Sequence, residues 1–161
     1  KGNLVGINTF KTTGYGSYYA MPIDWLSDLR KKDRKKKFLV EGKALWEEDE
    51  DKKPYFLQIA IPKNKENWDD LLEITKQWTK NEESNSEAWY EYGFVNEKLL
   101  NLEAALTSYN KSINLDKNNS DSLYRSALLH NKNGNSSKAK QIQKNLLLID
   151  EIKGRELENL L

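Results

Sequence analysis

Two consecutive segments of equal length decide the fold. Residues 86–119 read SEAWYEYGFVNEKLLNLEAALTSYNKSINLDKNN, and residues 120–153 read SDSLYRSALLHNKNGNSSKAKQIQKNLLLIDEIK. They align without a gap, so each position of the first lies 34 residues before its counterpart in the second. The clearest equivalent pairs are Trp89 with Leu123, Gly93 with Ala127, Ala105 with Ala139 and Ser112 with Leu146. Self-similarity at a fixed interval of this length is typical of stacked helix–turn–helix units, and we predict a helical array.

Small residues recur where the two helices of one unit would cross. Paired helices approach to about 8–10 Å only if small side chains occupy the crossing point. We therefore expect Gly93 to face Ala105, and Ala127 to face Ala139. The neighbouring aromatic residues would fill the space on either side, which assigns them to the core rather than to a cofactor site; they are Trp89, Tyr92 and Tyr109.

This pattern resembles the tetratricopeptide repeat (TPR), a helix–turn–helix unit that stacks into a solenoid. The motif residues are Trp89, Tyr92, Gly93, Ala105 and Tyr109 in one repeat and Ala127, Gly134 and Ala139 in the next. The chain departs from the family pattern at Asn96, where an aromatic residue is usual, and at Lys117 and Glu151, where a repeat normally ends in proline. The resemblance implies a curved stack whose first helices line a concave, peptide-binding side.

Counting back one interval predicts a third unit over residues 52–85. Its second helix is expected to turn an apolar face inward, formed by Leu71, Leu72, Ile74, Thr75 and Trp78. Its first helix is predicted over 55–61, with Pro54 suited to the first turn. Because Pro62 cannot donate an interior hydrogen bond, we expect this helix to end or kink near Ile61, with 63–67 as an enlarged turn. A strand over 55–61 is the alternative.

The far end of the array needs a covering helix. A terminal repeat exposes one apolar side unless a helix with one polar face packs over it. Residues 154–161 are predicted to form this capping helix, directly after the repeat 120–153.

Residues 1–30 are rich in glycine, tyrosine and β-formers. A strand is predicted over 4–10 and a second over 17–21, joined by a turn in which Gly14 and Gly16 permit positive φ. Pro22 is predicted to open a helix. Two strands alone cannot bury both faces of a sheet, so the hairpin needs a partner sheet, and we expect the chain to be cut from something longer.

This stretch resembles the last two strands and the terminal helix of a trypsin-like serine protease domain, especially of the HtrA-type branch. The residues that carry the resemblance are Val5-Gly6-Ile7-Asn8-Thr9 before the turn and Ala20-Met21-Pro22-Ile23 after it. The resemblance implies that Thr9, Phe10 and Lys11 match the edge that pairs with substrate backbone. It likewise implies that Gly16 and Tyr18 match walls of the pocket for the side chain before the scissile bond.

The catalytic residues of that family are not matched in this chain. The family's nucleophile lies in a Gly-Asn-Ser-Gly-Gly-Pro context, which would fall upstream of Lys1, as would the histidine and the aspartate. Loss of any triad member leaves only residual hydrolysis. We expect no catalysis from these residues alone, whereas the parent protein would be a serine endopeptidase.

Composition excludes several other classes of function. Lys and Arg number 26 and Asp and Glu 25, for a net charge of +1, so no overall field attracts nucleic acid. The absence of cysteine and the single histidine, His130, exclude a thiol nucleophile and a Cys- or His-cluster metal site. No apolar run approaches the roughly 18 residues of a membrane span. We expect no cofactor, metal or nucleic acid.

Charge runs separate the two ends of the chain. Residues 30–37 carry seven cations around one anion, and residues 47–51 are all acidic. We interpret 31–51 as a charged linker; a basic docking patch is the alternative.

The repeat register also predicts which side chains line the concave side. The candidates are Phe56, Leu57, Ala60, Tyr90, Glu91, Phe94, Lys98, Tyr124, Arg125, Leu128 and Asn131. Some TPR proteins grip a C-terminal carboxylate with Lys and Asn at fixed positions, but Leu57, Glu91 and Phe94 do not supply them. An internal peptide segment is the expected ligand, and a half-exposed spacer surface is the alternative.

The predicted fold is therefore mainly α. It is a TPR-like solenoid of three helix pairs plus a cap, preceded by a hairpin and helix from the end of a trypsin-like β-barrel. The expected partners are a protein or peptide on the concave side and the rest of a protease domain against residues 1–30. The protease resemblance implies a periplasmic or secreted setting. A free-standing TPR scaffold without a proteolytic role is the main alternative, and an enzyme of unseen type is a further one.

Overall fold

The N-terminal strands and the helical segment belong to separate compact units, residues 1–47 and 48–161. The computed structural model describes residues 6–11, 18–22 and 48–161. In the first unit, strand β1 (Gly6–Lys11) pairs antiparallel with β2 (Tyr18–Pro22). The register shifts between Asn8 and Phe10, which leaves Thr9 as an extra residue in β1.

Pro22 is the last residue of β2 and pairs with Gly6. In the two-stranded sheet that the described residues form, both strands are edges, where a residue without an N–H is tolerated. The predicted turn glycines, the helix after Pro22 and the linker through residue 47 lie outside the described residues.

The second unit is helical throughout its described length. After a 3₁₀ turn (Glu50–Lys52) it contains α1 (Tyr55–Gln58), α2 (Ala60–Asn64), α3 (Trp68–Asn81), α4 (Ser86–Lys98), α5 (Leu102–Leu115), α6 (Ser120–Lys132), α7 (Ser136–Ile149) and α8 (Glu151–Glu158). Among these residues, no helix has the length and apolar content to span a membrane.

Three turns at equivalent positions place the three units in one register. A left-handed backbone recurs at Glu66 (φ 55°), Leu100 (φ 63°) and Gly134 (φ 79°), each 34 residues after the last. Asparagine follows each of them and precedes the next helix, at Asn67, Asn101 and Asn135. Short polar side chains favour this position before a helix. The predicted third unit over 52–85 therefore repeats the turn geometry of the other two.

Pro62 lies inside α2 rather than beyond the end of the first helix. The helical run breaks at Ile59, three residues earlier, so Pro62 falls within the first turn of α2. First-turn N–H groups have no intrahelical acceptor, and proline therefore costs no hydrogen bond there. The segment is helical, and the alternative of a strand over 55–61 is wrong.

The small-residue crossings are confirmed. A Cβ atom placed on Gly93 would lie 2.7 Å from ring carbons of Tyr109 and 3.2 Å from the carbonyl oxygen of Ala105. Ala105 and Tyr109 are fully buried. In the following unit Ala127 and Ala139 are also fully buried and share one apolar cluster.

Three apolar clusters form the core of the described helices. The first joins Leu71 and Trp78 of α3 to Ala88 and Val95 of α4. Thr75, on the same face of α3, is fully buried, and its hydroxyl donates to the carbonyl oxygen of Leu71 at 2.7 Å. The predicted inward face of α3 is therefore correct.

The capping helix begins earlier than residue 154. Asp150 accepts a hydrogen bond from the backbone N–H of Lys153 at 3.1 Å, and α8 starts at Glu151. A Cβ on Gly154 would lie 2.7 Å from Cα of Leu147, so only glycine allows α8 to pack this closely on α7. Gln143 Nε2 also donates to the Gly154 carbonyl oxygen at 3.2 Å.

Replacing Leu100 with glycine is expected to stabilise the chain. Leu100 adopts φ 63° and is 76% exposed, so it carries backbone strain with little packing in return. Leu100→Gly should raise the free energy of unfolding by about 0.5–1 kcal/mol in urea titrations. The matched control is Leu148→Gly, because Leu148 is 87% exposed inside α7. Leu148→Gly should lower the free energy of unfolding by about 0.5–1 kcal/mol. Equal effects of the two substitutions would contradict the left-handed assignment.

Candidate functional site

The ring of Phe94 lies at the centre of a face built by three successive units. Phe94 is on α4 and only 9% exposed. Three cations from three units surround its ring: Lys63 Nζ at 4.9 Å, Lys98 Nζ at 5.4 Å and Arg125 Cζ at 4.9 Å from the centroid. The electron-rich face of an aromatic ring attracts cations at these distances.

Two further aromatic residues extend this apolar floor. Trp68 meets Phe94 edge-on, with centroids 6.1 Å apart, and Tyr90 lies 6.5 Å away. Lys98 also lies over the Trp68 ring at 5.6 Å. We call the set Lys63, Trp68, Tyr90, Phe94, Lys98 and Arg125 the Phe94 face.

Two ion pairs join successive units next to this face. Lys63 Nζ lies 2.5 Å from Glu91 Oε1, which joins the first unit to the second. Arg125 Nη1 lies 3.1 Å from Glu97 Oε1, which joins the second to the third. Glu97 also accepts a hydrogen bond from the buried Tyr109 hydroxyl at 2.7 Å. Glu97 therefore serves both the core and the inter-unit contact.

Burial raises the pKa of Tyr109, and its hydrogen bond to Glu97 and the charge of that carboxylate raise it further. The pKa of Tyr90 is raised as well, first by burial and then by the Asp121 and Glu91 carboxylates. Both phenols therefore stay protonated in the folded chain at a pH where an exposed tyrosine ionises.

We expect the chain to lose stability in alkali through Tyr109. The unfolded chain releases this proton above about pH 10 and the folded chain does not, so the free energy of unfolding falls as pH rises past that value. Tyr109→Phe should make the decline shallower, and the difference in slope should grow toward about 1.4 kcal/mol per pH unit as the pH rises above about 10. Urea titrations followed by tryptophan fluorescence between pH 9 and 11 measure both slopes. Identical slopes would show that Tyr109 ionises normally in the folded state.

A group of carboxylates lies next to the Phe94 face. Glu91 is 4% exposed, and its Oε2 atom has no hydrogen-bond partner. The pKa of the neighbouring Glu87 is raised, first by desolvation and then by the charge of Glu91, with Asp121 adding to the effect and Lys63 opposing it. Asp121 pairs with Lys153 at 2.9 Å. We call Glu87, Glu91 and Asp121 the acidic edge.

The predicted lining residues fall into two groups. The structure brings Tyr90, Glu91, Phe94, Lys98 and Arg125 together around one ring. The other predicted residues have different environments. Phe56 is 44% exposed on α1, Ala60 is exposed and Leu57 is half-buried. Tyr124 donates to Glu156 at 2.8 Å, Leu128 packs against the third-unit core, and Asn131 accepts from Ser136 at 2.9 Å.

Sequence reasoning missed Lys63, Trp68 and Glu97. Lys63 and Glu97 occupy the repeat position of Asn131, since the three lie 34 residues apart. Selecting the residues equivalent to Asn131 in the two preceding repeats would have predicted both Lys63 and Glu97. Trp68 is the first residue of α3, and its contact with Phe94 follows the left-handed turn at Glu66. The sequence predicted a turn over 63–67 but not its backbone conformation.

The protease-derived candidates lie in the other unit. Thr9, Phe10 and Lys11 belong to β1 and Tyr18 to β2, whereas Gly16 is outside the described residues. The proposed roles of these residues in a substrate edge and pocket stay predictions.

Comparison with known protein families identifies two tetratricopeptide repeats in the chain. One family model matches residues 86–119 and a second matches 108–141, both described as tetratricopeptide repeat. The first match has the boundaries that the sequence repeat predicts. No curated protein sequence matches the chain, and none of these comparisons supports a trypsin-like protease fusion.

Solved structures of TPR proteins resemble the helical unit. The TPR2B domain of yeast Sti1, in its complex with pHsp70, has a TM-score of 0.61 at 17% identity, covering 66% of this chain and 89% of that one. The Yersinia enterocolitica type III secretion translocator chaperone SycD gives 0.60 at 12% identity, covering 66% and 77%. MamA gives 0.57 at 20% identity, covering 60% of this chain and 57% of its own length. At these identities the likeness establishes the fold alone.

Proposed function

We propose that the helical unit binds an extended segment of a partner protein on the Phe94 face. TPR domains bind protein or peptide partners, and the repeats support a protein-interaction module. The observation that carries the proposal is the Phe94 ring with cations from three units around it. An apolar floor with convergent charged groups suits a peptide that presents both apolar side chains and polar backbone.

An internal segment fits this face better than a terminal carboxylate. Lys63 and Arg125 already face Glu91 and Glu97 at ion-pair distance, so their charge is largely committed within the protein. Lys98 is exposed and forms no ion pair within residues 48–161. One free cation beside an aromatic floor favours a mixed apolar and polar ligand.

Lys98→Ala is expected to weaken peptide binding about tenfold, because it removes a cation from the Phe94 face and from above the Trp68 ring. The ligand is a fluorescein-labelled dodecapeptide selected from a random library on the full chain, and fluorescence anisotropy gives the dissociation constant. Lys111→Ala is the matched control, since Lys111 is exposed and lies 5.8 Å over the Trp89 ring on a second helix. Equal effects of the two variants would contradict the proposed face.

A finer form of the proposal concerns the parent protein. Residues 1–30 resemble the end of a trypsin-like protease domain, and in such a parent the repeats would recruit a substrate or an assembly partner in a periplasmic or secreted setting. The genomic reading frame upstream of Lys1 provides the test. A Gly-Asn-Ser-Gly-Gly-Pro motif there would support a protease, and its absence would favour a free-standing scaffold.

A further inference from the structure

The carboxylate of Glu91 is buried with only one of its oxygens partnered. Glu91 is 4% exposed, and Lys63 contacts Oε1 at 2.5 Å. Oε2 is closed to solvent and accepts no hydrogen bond within the described residues. A buried carboxylate oxygen without a donor is unfavourable and uncommon. The site therefore lacks one donor.

The acidic edge also carries more negative than positive charge. Glu87, Glu91 and Asp121 supply three carboxylates, and the cations that face them are Lys63 and Lys153. The Glu87 side chain keeps access to solvent, although the surrounding protein partly desolvates its carboxylate. It forms no ion pair within residues 48–161. Desolvation and the nearby charge of Glu91 both raise the pKa of Glu87, as expected of an anion that lacks compensation. These three carboxylates outnumber the two lysines that face them, and Lys153 is shared with Asp150 at 3.5 Å.

The chemistry of the edge favours an organic cation over a metal ion. Within the described residues, no three His, Cys, Asp or Glu side chains are grouped closely enough to hold a metal. An ammonium or guanidinium group presents several N–H donors and can reach carboxylates that lie too far apart for one ion. Its aliphatic stem would lie along the half-buried ring of Tyr90.

We infer that the partner segment carries a lysine or arginine side chain that the acidic edge receives, while the adjacent residues of that segment cover the Phe94 face. The inference rests on the proposed function and names the chemistry of the ligand. It assigns Glu87 to direct contact with the cation, whose positive charge also offsets the buried Glu91 carboxylate beside it.

Selection of dodecapeptides from a random library on the full chain tests the inference. The selected binders should be enriched in Lys and Arg. Glu87→Gln in the protein, or replacement of that cationic residue by glutamine in the peptide, should each weaken binding about tenfold. Combining both changes should weaken it little further, because each removes the same contact. Measurements belong at low salt, since exposed charges are screened over about 10 Å at 0.1 M.

Glu73→Gln is the matched control variant, because Glu73 is an exposed glutamate on α3 whose side chain accepts from Gln77 and forms no ion pair within residues 48–161. It should leave binding unchanged. Binders that Lys98→Ala weakens but Glu87→Gln does not would overturn the inference and leave the proposed function standing. Binders insensitive to both variants would overturn the proposed function as well. A dimer of the free chain that Glu87→Lys dissociates would assign the edge to a second copy and also overturn the inference.

Discussion

Gly93→Val is expected to lower the free energy of unfolding by about 3 kcal/mol or more, and the melting temperature by about 10 °C or more. Even a single added carbon at Gly93 would lie 2.7 Å from the Tyr109 ring and 3.2 Å from the Ala105 carbonyl oxygen. The ring cannot swing aside, because it is fully buried and its hydroxyl is held by Glu97. Valine adds two methyl groups at this contact, so α4 and α5 would have to separate.

Asn110→Val provides the control for this substitution. It places the same β-branched residue on an exposed position of α5, where nothing opposes it. The change in stability should stay within about 0.5 kcal/mol. Circular dichroism during thermal and urea unfolding measures both variants. If Gly93→Val were as stable as Asn110→Val, the close crossing of α4 and α5 would be wrong.

Glu97→Ala is expected to lower the free energy of unfolding by about 2–4 kcal/mol. The change removes the carboxylate that receives both the Tyr109 hydroxyl and the Arg125 guanidinium. It leaves a buried hydroxyl without an acceptor and a cation, 29% exposed, without its partner. Glu97→Gln should cost about half as much, because the amide oxygen can still accept from Tyr109.

An exposed ion pair supplies the comparison for Glu97. Arg155 and Glu151 lie 2.6 Å apart with side chains 72% and 67% exposed. Glu151→Ala should change stability by about 0.5 kcal/mol or less, as is usual for solvated pairs. A double-mutant cycle between Glu97 and Arg125 should give a coupling free energy of about 1 kcal/mol or more. No coupling there would contradict the inter-unit role of Glu97.

The 34-residue repeat interval predicted most of the helical fold. Small residues at Gly93 and Ala105 predicted the helix crossing because a steric limit leaves few alternatives. The same interval placed the third unit, although its first helix resembled the motif least. The ends of helices depend on local backbone energetics and were predicted less accurately. The helix before Pro62 breaks at Ile59 rather than near Ile61, and the capping helix starts at Glu151 rather than at 154.

The candidate site was only partly predictable. Tyr90, Phe94 and Arg125 follow from the register, since first-helix positions share one side of the stack. Which of them converge depends on tertiary packing: Trp68 reaches Phe94 from the start of a second helix. The unpaired Glu91 Oε2 is also a tertiary property, because sequence gives no count of the donors around a buried carboxylate.

NMR titration of the full chain with a selected dodecapeptide tests the binding face most directly. Backbone amide shifts should concentrate on α2, α4 and α6 around Phe94. They should be small on the outward side of α3 and α5. Shifts centred instead on the exposed Leu148 and Ile152 at the end of the stack would contradict the account.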